Sequence, residues 1–131
     1  CDLDRLLQQS DFIVVAVDLN QESKALIGSA QFDLMQKHAV FVNISRGSVV
    51  DELALIDALQ QNKIFAAGLD VYAKEPLQES PLFQLPNVVT APHIGSATLE
   101  TRKKMVHLAY QNLIDALEDR QPRYLVNPKF E

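Results

Sequence analysis

The sequence predicts an α/β fold with a mostly parallel sheet and flanking helices, and three observations support this prediction. Four short runs are almost continuously apolar and rich in β-branched residues, which is typical of strands buried on both faces of a parallel sheet. The stretches between them carry apolar residues at helical spacing. Strands that alternate with helices form βαβ units, and ligands of such sheets bind beyond the carboxyl ends of the strands.

The predicted elements follow one another with short connections. Strands are predicted over residues 12–17, 39–44, 65–71 and 88–91. Helices are predicted over residues 2–9, 29–36 and 98–118, and a further helix is expected between Asp51 and residues 62–63. Ser29 and Asp51 are the expected N-caps, because their side-chain oxygens can accept hydrogen bonds from the free backbone N–H groups of a first helical turn.

The long helix over residues 98–118 is expected to bury one side. That side comprises Met105, Leu108, Ala109, Asn112, Leu113 and Leu117. Beyond the helix, the segment 121–131 contains Pro122 and Pro128 and is expected to be irregular.

Length and composition favour one compact globular domain of 131 residues. The chain has 12 Lys and Arg against 17 Asp and Glu, a net charge of −5, and it contains no basic run, so we expect no nucleic-acid partner. No apolar run approaches the roughly 20 residues of a membrane span, so no membrane partner is expected either. A single cysteine allows no internal disulfide, which fits a reducing compartment and predicts a cytoplasmic protein.

Polar residues of distinct chemistry follow three of the predicted strands. Arg46 comes after the second strand, Asp70 and Glu75 after the third, and His93 after the fourth. Arginine can hold a carboxylate through two hydrogen bonds, histidine can transfer a proton near neutral pH, and a neighbouring carboxylate would fix its tautomer. No zinc-type ligand set and no nucleophilic serine motif is present, so no metal site is expected. The set fits proton transfer coupled to reduction of a 2-keto acid.

Three longer segments carry a resemblance to a known family. Residues 43–51 (Asn-Ile-Ser-Arg-Gly-Ser-Val-Val-Asp) resemble the arginine signature of the D-isomer-specific 2-hydroxyacid dehydrogenases. Residues 68–77 (Gly-Leu-Asp-Val-Tyr-Ala-Lys-Glu-Pro-Leu) resemble the glutamate signature, and residues 92–98 (Pro-His-Ile-Gly-Ser-Ala-Thr) resemble the histidine signature. The signatures occur in the family order, and the resemblance covers essentially the whole chain.

The resemblance implies how the chain is organised. Residues 1–120 would form the second half of a Rossmann-like NAD(P)-binding domain, and residues 121–131 would be a C-terminal tail. The form of residues 93–98, together with Leu125-Val126-Asn127-Pro128, is similar to the glyoxylate/hydroxypyruvate/2-ketogluconate reductase branch. The parent protein would be a homodimeric NAD(P)H-dependent reductase of a small 2-keto acid.

The resemblance also implies roles for individual residues. Arg46 would bind the substrate carboxylate and carbonyl, His93 would protonate the carbonyl oxygen as hydride arrives from the nicotinamide, and Glu75 would hydrogen-bond His93 and keep it charged. The residues expected to contact NAD or NADP are Val17, Leu19, Ile44, Ser45, Arg46, Asp70, His93, Ile94, Gly95 and Ser96.

One loop departs from the family pattern. Asp18 stands where the family usually has proline, and Asn20 stands where it usually has threonine. Asp18 would place negative charge near a cofactor phosphate or ribose. The same residue could instead form an Asx-type turn, so Asp18 has either a functional or a structural role.

The G-x-G-x-x-G turn that binds a pyrophosphate does not occur in the chain. The four glycines, at positions 28, 47, 68 and 95, do not form it. Because the sequence begins abruptly at Cys1 inside structured sequence, we expect a C-terminal fragment. Such a fragment would carry the catalytic residues, bind the cofactor poorly on its own and show no measurable turnover.

Two other classes of function remain as alternatives. A non-catalytic Rossmann-like nucleotide-binding or regulatory module could have kept these residues as relics. Another Rossmann-type enzyme, such as a methyl transferase, would leave Arg46, Glu75 and His93 unexplained. Replacing Arg46 or His93 by alanine in a complete chain distinguishes an enzyme, which would lose orders of magnitude in turnover, from a binding module.

Overall fold

The computed structural model describes residues 1–125 and contains two compact units, which meet between Gly95 and Ser96. The first unit contains one sheet. Its strands are β1 (Phe12–Val15), β2 (Val40–Asn43), β3 (Ala66–Leu69) and β4 (Val88–Thr90). All three pairings are parallel, and the strands lie in chain order, which confirms the predicted α/β class with a parallel sheet.

The register brings the four strand ends to one level. Val15 pairs with Asn43, Asn43 with Leu69, and Leu69 with Thr90. The connections that leave the sheet at these positions are the ones that carry Arg46, Asp70, Glu75 and His93. The fold therefore brings the polar residues of three loops to a single edge, as the order of strands and helices predicts.

Three helices bury one face of the sheet. They are α1 (Leu3–Gln9), α2 (Ser29–Leu34) and α3 (Glu52–Gln60). Leu7 of α1, Phe32 of α2 and Leu59 of α3 are almost completely buried in one cluster with alternate strand residues such as Ile13 and Phe41. Phe32 and Phe41 meet edge to face, with ring centroids 5.3 Å apart, a geometry that aromatic pairs favour.

The prediction that both faces of the sheet are buried is wrong for this chain. Val14, Val42, Gly68 and Val89 form a row across the four strands. Val14 is 57% exposed and Val89 is 75% exposed. Because α1, α2 and α3 contribute to a single core, no described element of the first unit covers the opposite face.

The helix caps agree with prediction at one position and differ at another. Asp51 caps α3 by accepting hydrogen bonds from the backbone N–H groups of Leu53 and Ala54. The expected cap Ser29 is instead the first residue of α2, and Gly28 is the N-cap. The Gln31 side chain accepts from the Gly28 N–H at 3.1 Å, which moves the cap one residue earlier.

The second unit contains one helix, α4 (Leu99–Leu117), which Thr98 caps through the Thr101 N–H. Its predicted apolar side is not buried: Leu108 is 44% exposed and Leu117 is 71% exposed. The described residues of this unit form no other helix or strand against which that side could pack. Residues 121–125 are irregular, as predicted, whereas 126–131 and most of the Leu125-Val126-Asn127-Pro128 motif lie outside the described residues. The expected domain boundary after residue 120 stays a prediction.

Within residues 1–125, no helix has the length and apolar character needed to cross a membrane.

Candidate active site

The loop after β2 is organised by a buried side chain that the sequence analysis did not single out. Asn43 is 1% exposed, and its Oδ1 accepts hydrogen bonds from the backbone N–H and the hydroxyl of Ser45, both at 3.0 Å. Its Nδ2 donates to the Arg46 carbonyl oxygen at 3.2 Å. Asn43 therefore sets the backbone from which Arg46 projects. Two features of the sequence mark this position: it ends an apolar run, and it is the first residue of the arginine signature.

Gly47 allows this loop to pack directly on the loop after β3. A β-carbon at position 47 would lie 1.8 Å from the carbonyl carbon of Tyr72, a distance that no side chain can occupy. Tyr72 is itself buried, and its hydroxyl donates to the Ala91 carbonyl oxygen at 2.7 Å, which ties the end of β3 to the end of β4. Burial raises the pKa of the Tyr72 hydroxyl, so the group remains a proton donor.

Glu75 and His93 lie within hydrogen-bond distance of each other, as the resemblance leads us to expect. Glu75 Oε2 lies 2.6 Å from His93 Nδ1, and Glu75 Oε1 accepts from the Tyr72 N–H at 3.0 Å. The hydrogen bond from His93 is the main cause that lowers the pKa of Glu75, with smaller contributions from the Tyr72 N–H and the charge of Arg46. Since an ionised carboxylate can only accept, Nδ1 carries a proton and Nε2 remains available to another partner.

Asp70 fixes the turn that contains His93. Its two carboxylate oxygens accept hydrogen bonds from the backbone N–H groups of Ile94 and Gly95, each at 2.8 Å. His93 has a φ of 52°, in the left-handed region that non-glycine residues seldom occupy. The Asp70 contacts hold the turn in this conformation. Ser96, another expected cofactor contact, is the first residue of the second unit.

A cavity of about 490 Å³ brings together several of the expected cofactor contacts. Its lining residues are Ala16, Val17, Asp18, Leu19, Ile44, Ser45 and Arg46. The Arg46 guanidinium donates to the Ser45 carbonyl oxygen at 2.6 Å, so the side chain lies against its own loop.

The Asx turn considered for Asp18 forms at Asn20 instead. Asn20 Oδ1 accepts from the backbone N–H groups of Glu22 and Ser23, both at 2.9 Å. The Ser23 hydroxyl donates to the Asp18 carbonyl oxygen, so Asp18 takes part through its backbone. Asp18 is also one of the residues that line the cavity.

A second cavity, of about 470 Å³, lies beside the Glu75–His93 pair. It is lined by Tyr72, Glu75, Pro76, Leu77, Phe83, Thr90, Ala91, Pro92 and His93. Arg46 lines the first cavity, and His93 lines the second. Both residues contribute to the lowered pKa of Glu75. Within the part of the chain that the structure describes, no group of three His, Cys, Asp or Glu residues could hold a metal ion.

Known proteins resemble the chain over nearly its full length. Glyoxylate/hydroxypyruvate reductase B of Citrobacter koseri is 55% identical over 130 residues, which cover 98% of this chain and 40% of the relative. The chain thus spans about 40% of the length of the curated relatives it matches.

Two solved structures place the same fold in enzymes. A glyoxylate reductase from Paecilomyes thermophila matches with a TM-score of 0.90 and 38% identity, over 96% of this chain and 38% of that one. The NADPH-dependent glyoxylate/hydroxypyruvate reductase of Sinorhizobium meliloti, solved with NADP and malonate, matches with a TM-score of 0.85 and 34% identity. That match covers 88% of this chain and 36% of the other.

The family assignment agrees with the fold and with the three signatures. Residues 1–95 match the model of the NAD binding domain of D-isomer specific 2-hydroxyacid dehydrogenases, and this range includes the whole sheet and the Glu75–His93 pair. The chain therefore belongs to the D-isomer specific 2-hydroxyacid dehydrogenase family.

Proposed function

We propose that the chain supplies the acid–base pair and the carboxylate-binding arginine of an NAD(P)H-dependent reductase of small 2-keto acids, of the glyoxylate or hydroxypyruvate type. The observation that carries this proposal is the 2.6 Å contact between Glu75 Oε2 and His93 Nδ1 at the carboxyl ends of the strands. The names of the relatives support the substrate class, since they are glyoxylate/hydroxypyruvate reductases.

His93 acts as the general acid in this proposal. Glu75 occupies Nδ1, so the proton that is delivered to the substrate carbonyl oxygen comes from Nε2. Asp70 contributes by keeping the turn that contains His93 in its left-handed conformation.

Arg46 binds the substrate carboxylate. Its guanidinium can form two parallel hydrogen bonds to a carboxylate, which orients the neighbouring carbonyl as well as binding it. To do so the side chain leaves the Ser45 carbonyl oxygen, to which it now donates one partly buried hydrogen bond. The exchange replaces one bond to a neutral carbonyl by two bonds to a carboxylate, in which both partners are charged.

The 490 Å³ cavity fits the cofactor proposal in its chemistry. Val17, Leu19 and Ile44 are 43%, 46% and 54% exposed, so they offer apolar surface to a flat ring, and Arg46 and Ser45 add polar groups beside them. We propose that these residues hold part of NAD or NADP, together with the turn at Ile94 and Gly95. When bound, the reduced nicotinamide supplies the hydride.

The test is a chimera in which this chain replaces the matching 130 residues of the Citrobacter koseri relative. We expect oxidation of NADH or NADPH that depends on glyoxylate or hydroxypyruvate. His93→Asn should lower kcat by about 10²- to 10⁴-fold, the usual contribution of a general acid. Arg46→Lys should raise KM as well as lower kcat, because lysine cannot form the two-pronged contact.

His38→Asn is the matched control. His38 is also exposed and also pairs with a carboxylate at 2.6 Å, that of Asp11, but it lies outside both cavities. Its replacement should leave turnover unchanged. A His93→Asn chimera that is as active as the His38→Asn chimera would contradict the proposal and favour the binding-module alternative.

We also propose that the full protein is a cytoplasmic homodimer. The family resemblance supports the dimer, and the single cysteine supports a reducing compartment. Sedimentation velocity of the chimera tests the oligomeric state, and a monomer at micromolar concentration would contradict it.

A further inference from the structure

A carboxylate outside the three signature roles contacts the loop that carries Glu75. Glu52 is the first residue of α3, and its Oε2 accepts a hydrogen bond from the Ala73 N–H at 3.0 Å. Ala73 lies two residues before Glu75, on the exposed part of the loop that follows β3. The contact therefore joins α3 to the loop across 21 residues of sequence.

The Glu52 carboxylate is not needed to cap its own helix. Asp51 already accepts from the N–H groups of Leu53 and Ala54, so the first turn of α3 has its acceptor. The bond from Ala73 to Glu52 is charge-assisted, and such bonds are stronger than those between neutral groups. The Glu52 carboxylate is therefore available to accept a hydrogen bond from the loop after β3.

The loop has separate attachments along its length. Near β3 it is held by the Tyr72 hydroxyl on Ala91 and by the close approach of Gly47. Beyond Tyr72, within the described residues, the Ala73 N–H donates to Glu52, and the Glu75 carboxylate contacts Tyr72 and His93. Residues 73–76 are exposed, so packing contributes little to their order.

We propose that Glu52 is a positioning residue, which keeps the 72–75 loop in the conformation where the Glu75 carboxylate meets His93. This inference rests on the proposed function, because it assigns to Glu52 a part in aligning the proposed acid–base pair. Glu52 touches neither cavity and acts only through Ala73 and Glu75.

The direct test is NMR of the 131-residue chain carrying Glu52→Ala. We expect the Ala73 amide to exchange with solvent about tenfold faster, since it loses a charge-assisted bond. The Glu75 carboxyl should titrate at higher pH, because the contact with His93 that lowers its pKa is populated less. In the chimera, kcat should fall about tenfold while KM stays within about twofold.

Three variants separate positioning from general stability. Glu52→Gln keeps an acceptor oxygen but not the charge, so the exchange rate, the Glu75 titration and kcat should lie between those of wild type and of Glu52→Ala. Asp51→Ala weakens the start of the same helix but leaves the Ala73 contact, so it should move none of the three. If Glu52→Ala fails to fold, Glu52→Asp, which keeps the charge and is one methylene too short, is expected to give the Glu52→Ala result.

The proposal would be overturned if Ala73 exchanged within twofold of the wild-type rate in a folded Glu52→Ala or Glu52→Asp chain. It would also be overturned if the Glu52→Gln chain behaved like Glu52→Ala. The exchange and titration measurements need no turnover. They therefore stand even if the His93→Asn chimera shows that the proposed function is wrong.

Discussion

The Glu75–His93 pair contributes orientation more than stability. The two side chains are 35% and 42% exposed, so solvent screens their attraction, and exposed ion pairs of this kind add about 0–1 kcal/mol. Two contacts to one carboxylate nevertheless define where it lies: Tyr72 donates to one oxygen and His93 to the other. The pair therefore adds little to the free energy of folding but fixes the direction in which His93 Nε2 points.

Removing His93 should change the titration of Glu75. The hydrogen bond from His93 is the largest cause of the lowered Glu75 pKa, so His93→Asn should raise that pKa toward its ordinary value. Because the folded-state pKa is lowered, the stabilisation is present above the unfolded pKa and is lost as the pH falls through the folded one. Carboxyl NMR of the 131-residue chain measures the change. His38→Asn should leave Glu75 unaffected, and equal titration in all three chains would refute the assignment.

Replacing Asp70 should destabilise the turn that contains His93. Asp70→Ala leaves the N–H groups of Ile94 and Gly95 without their acceptors while His93 keeps an unfavourable φ of 52°. We expect a loss of about 1–3 kcal/mol in the free energy of unfolding, measured with urea. The free energy of unfolding of Asp70→Asn, which keeps one acceptor oxygen, should lie between those of wild type and Asp70→Ala. An Asp70→Ala chain as stable as wild type would mean that the two bonds do not hold the turn.

At the scale of elements, the pattern of the sequence predicted the order and class of every strand, while the ends depended on particular contacts. The β-branched runs identified β1 to β4, but each strand is shorter than its apolar run. The cap of α2 shifted because Gln31 reaches back to Gly28, and the Asx turn formed at Asn20. Such choices depend on which of several adjacent polar side chains reaches a free N–H, and periodicity carries no information on that.

The packing between the β2 and β3 loops requires glycine at position 47. In a Gly47→Ala chain the new methyl group would collide with the Tyr72 backbone, which cannot yield as a flexible side chain can. We expect the free energy of unfolding, measured with urea, to fall by about 1–3 kcal/mol. Gly28→Ala is the control, because its β-carbon would meet only Gln31 Oε1 at 3.6 Å. Equal stability of the two variants would contradict the close approach.

At the scale of the whole molecule, the uncovered sheet face is the largest departure from the sequence prediction. Continuous apolar runs indicate strands buried on both sides, and the single core formed with α1, α2 and α3 covers only one. Exposed apolar surface of this kind favours association between molecules. We therefore expect this face to be the surface through which copies of the 131-residue chain associate.

Charge on that face should reduce association of the 131-residue chain. Val89→Lys places a cation in the row formed by Val14, Val42, Gly68 and Val89, so a smaller apparent mass is expected in sedimentation velocity. Leu53→Lys is the control, because Leu53 is 79% exposed on α3, away from the sheet face. If the wild-type chain is already monomeric at millimolar concentration, or if both variants act alike, the face does not drive association.

The charged residues of the candidate site could be predicted from the sequence, but the residues that position them could not. Arg46, Glu75 and His93 stand at strand ends and in recognisable signatures. Asn43 and Tyr72 lie in the same signatures, but their supporting contacts appear only when the loops of three strands are brought together. The residues that hold a site depend on contacts between distant segments, which short-range pattern does not describe.

The turnover of the chimera with Glu75→Gln tests the proposed acid–base pair most directly. The substitution keeps the shape of the side chain beside His93 and removes the charge that strengthens its contact with Nδ1. We predict that kcat for keto-acid reduction falls about tenfold, because the direction of His93 Nε2 is less well fixed. A kcat equal to that of the unmodified chimera would contradict the proposal that Glu75 orients His93 for proton transfer.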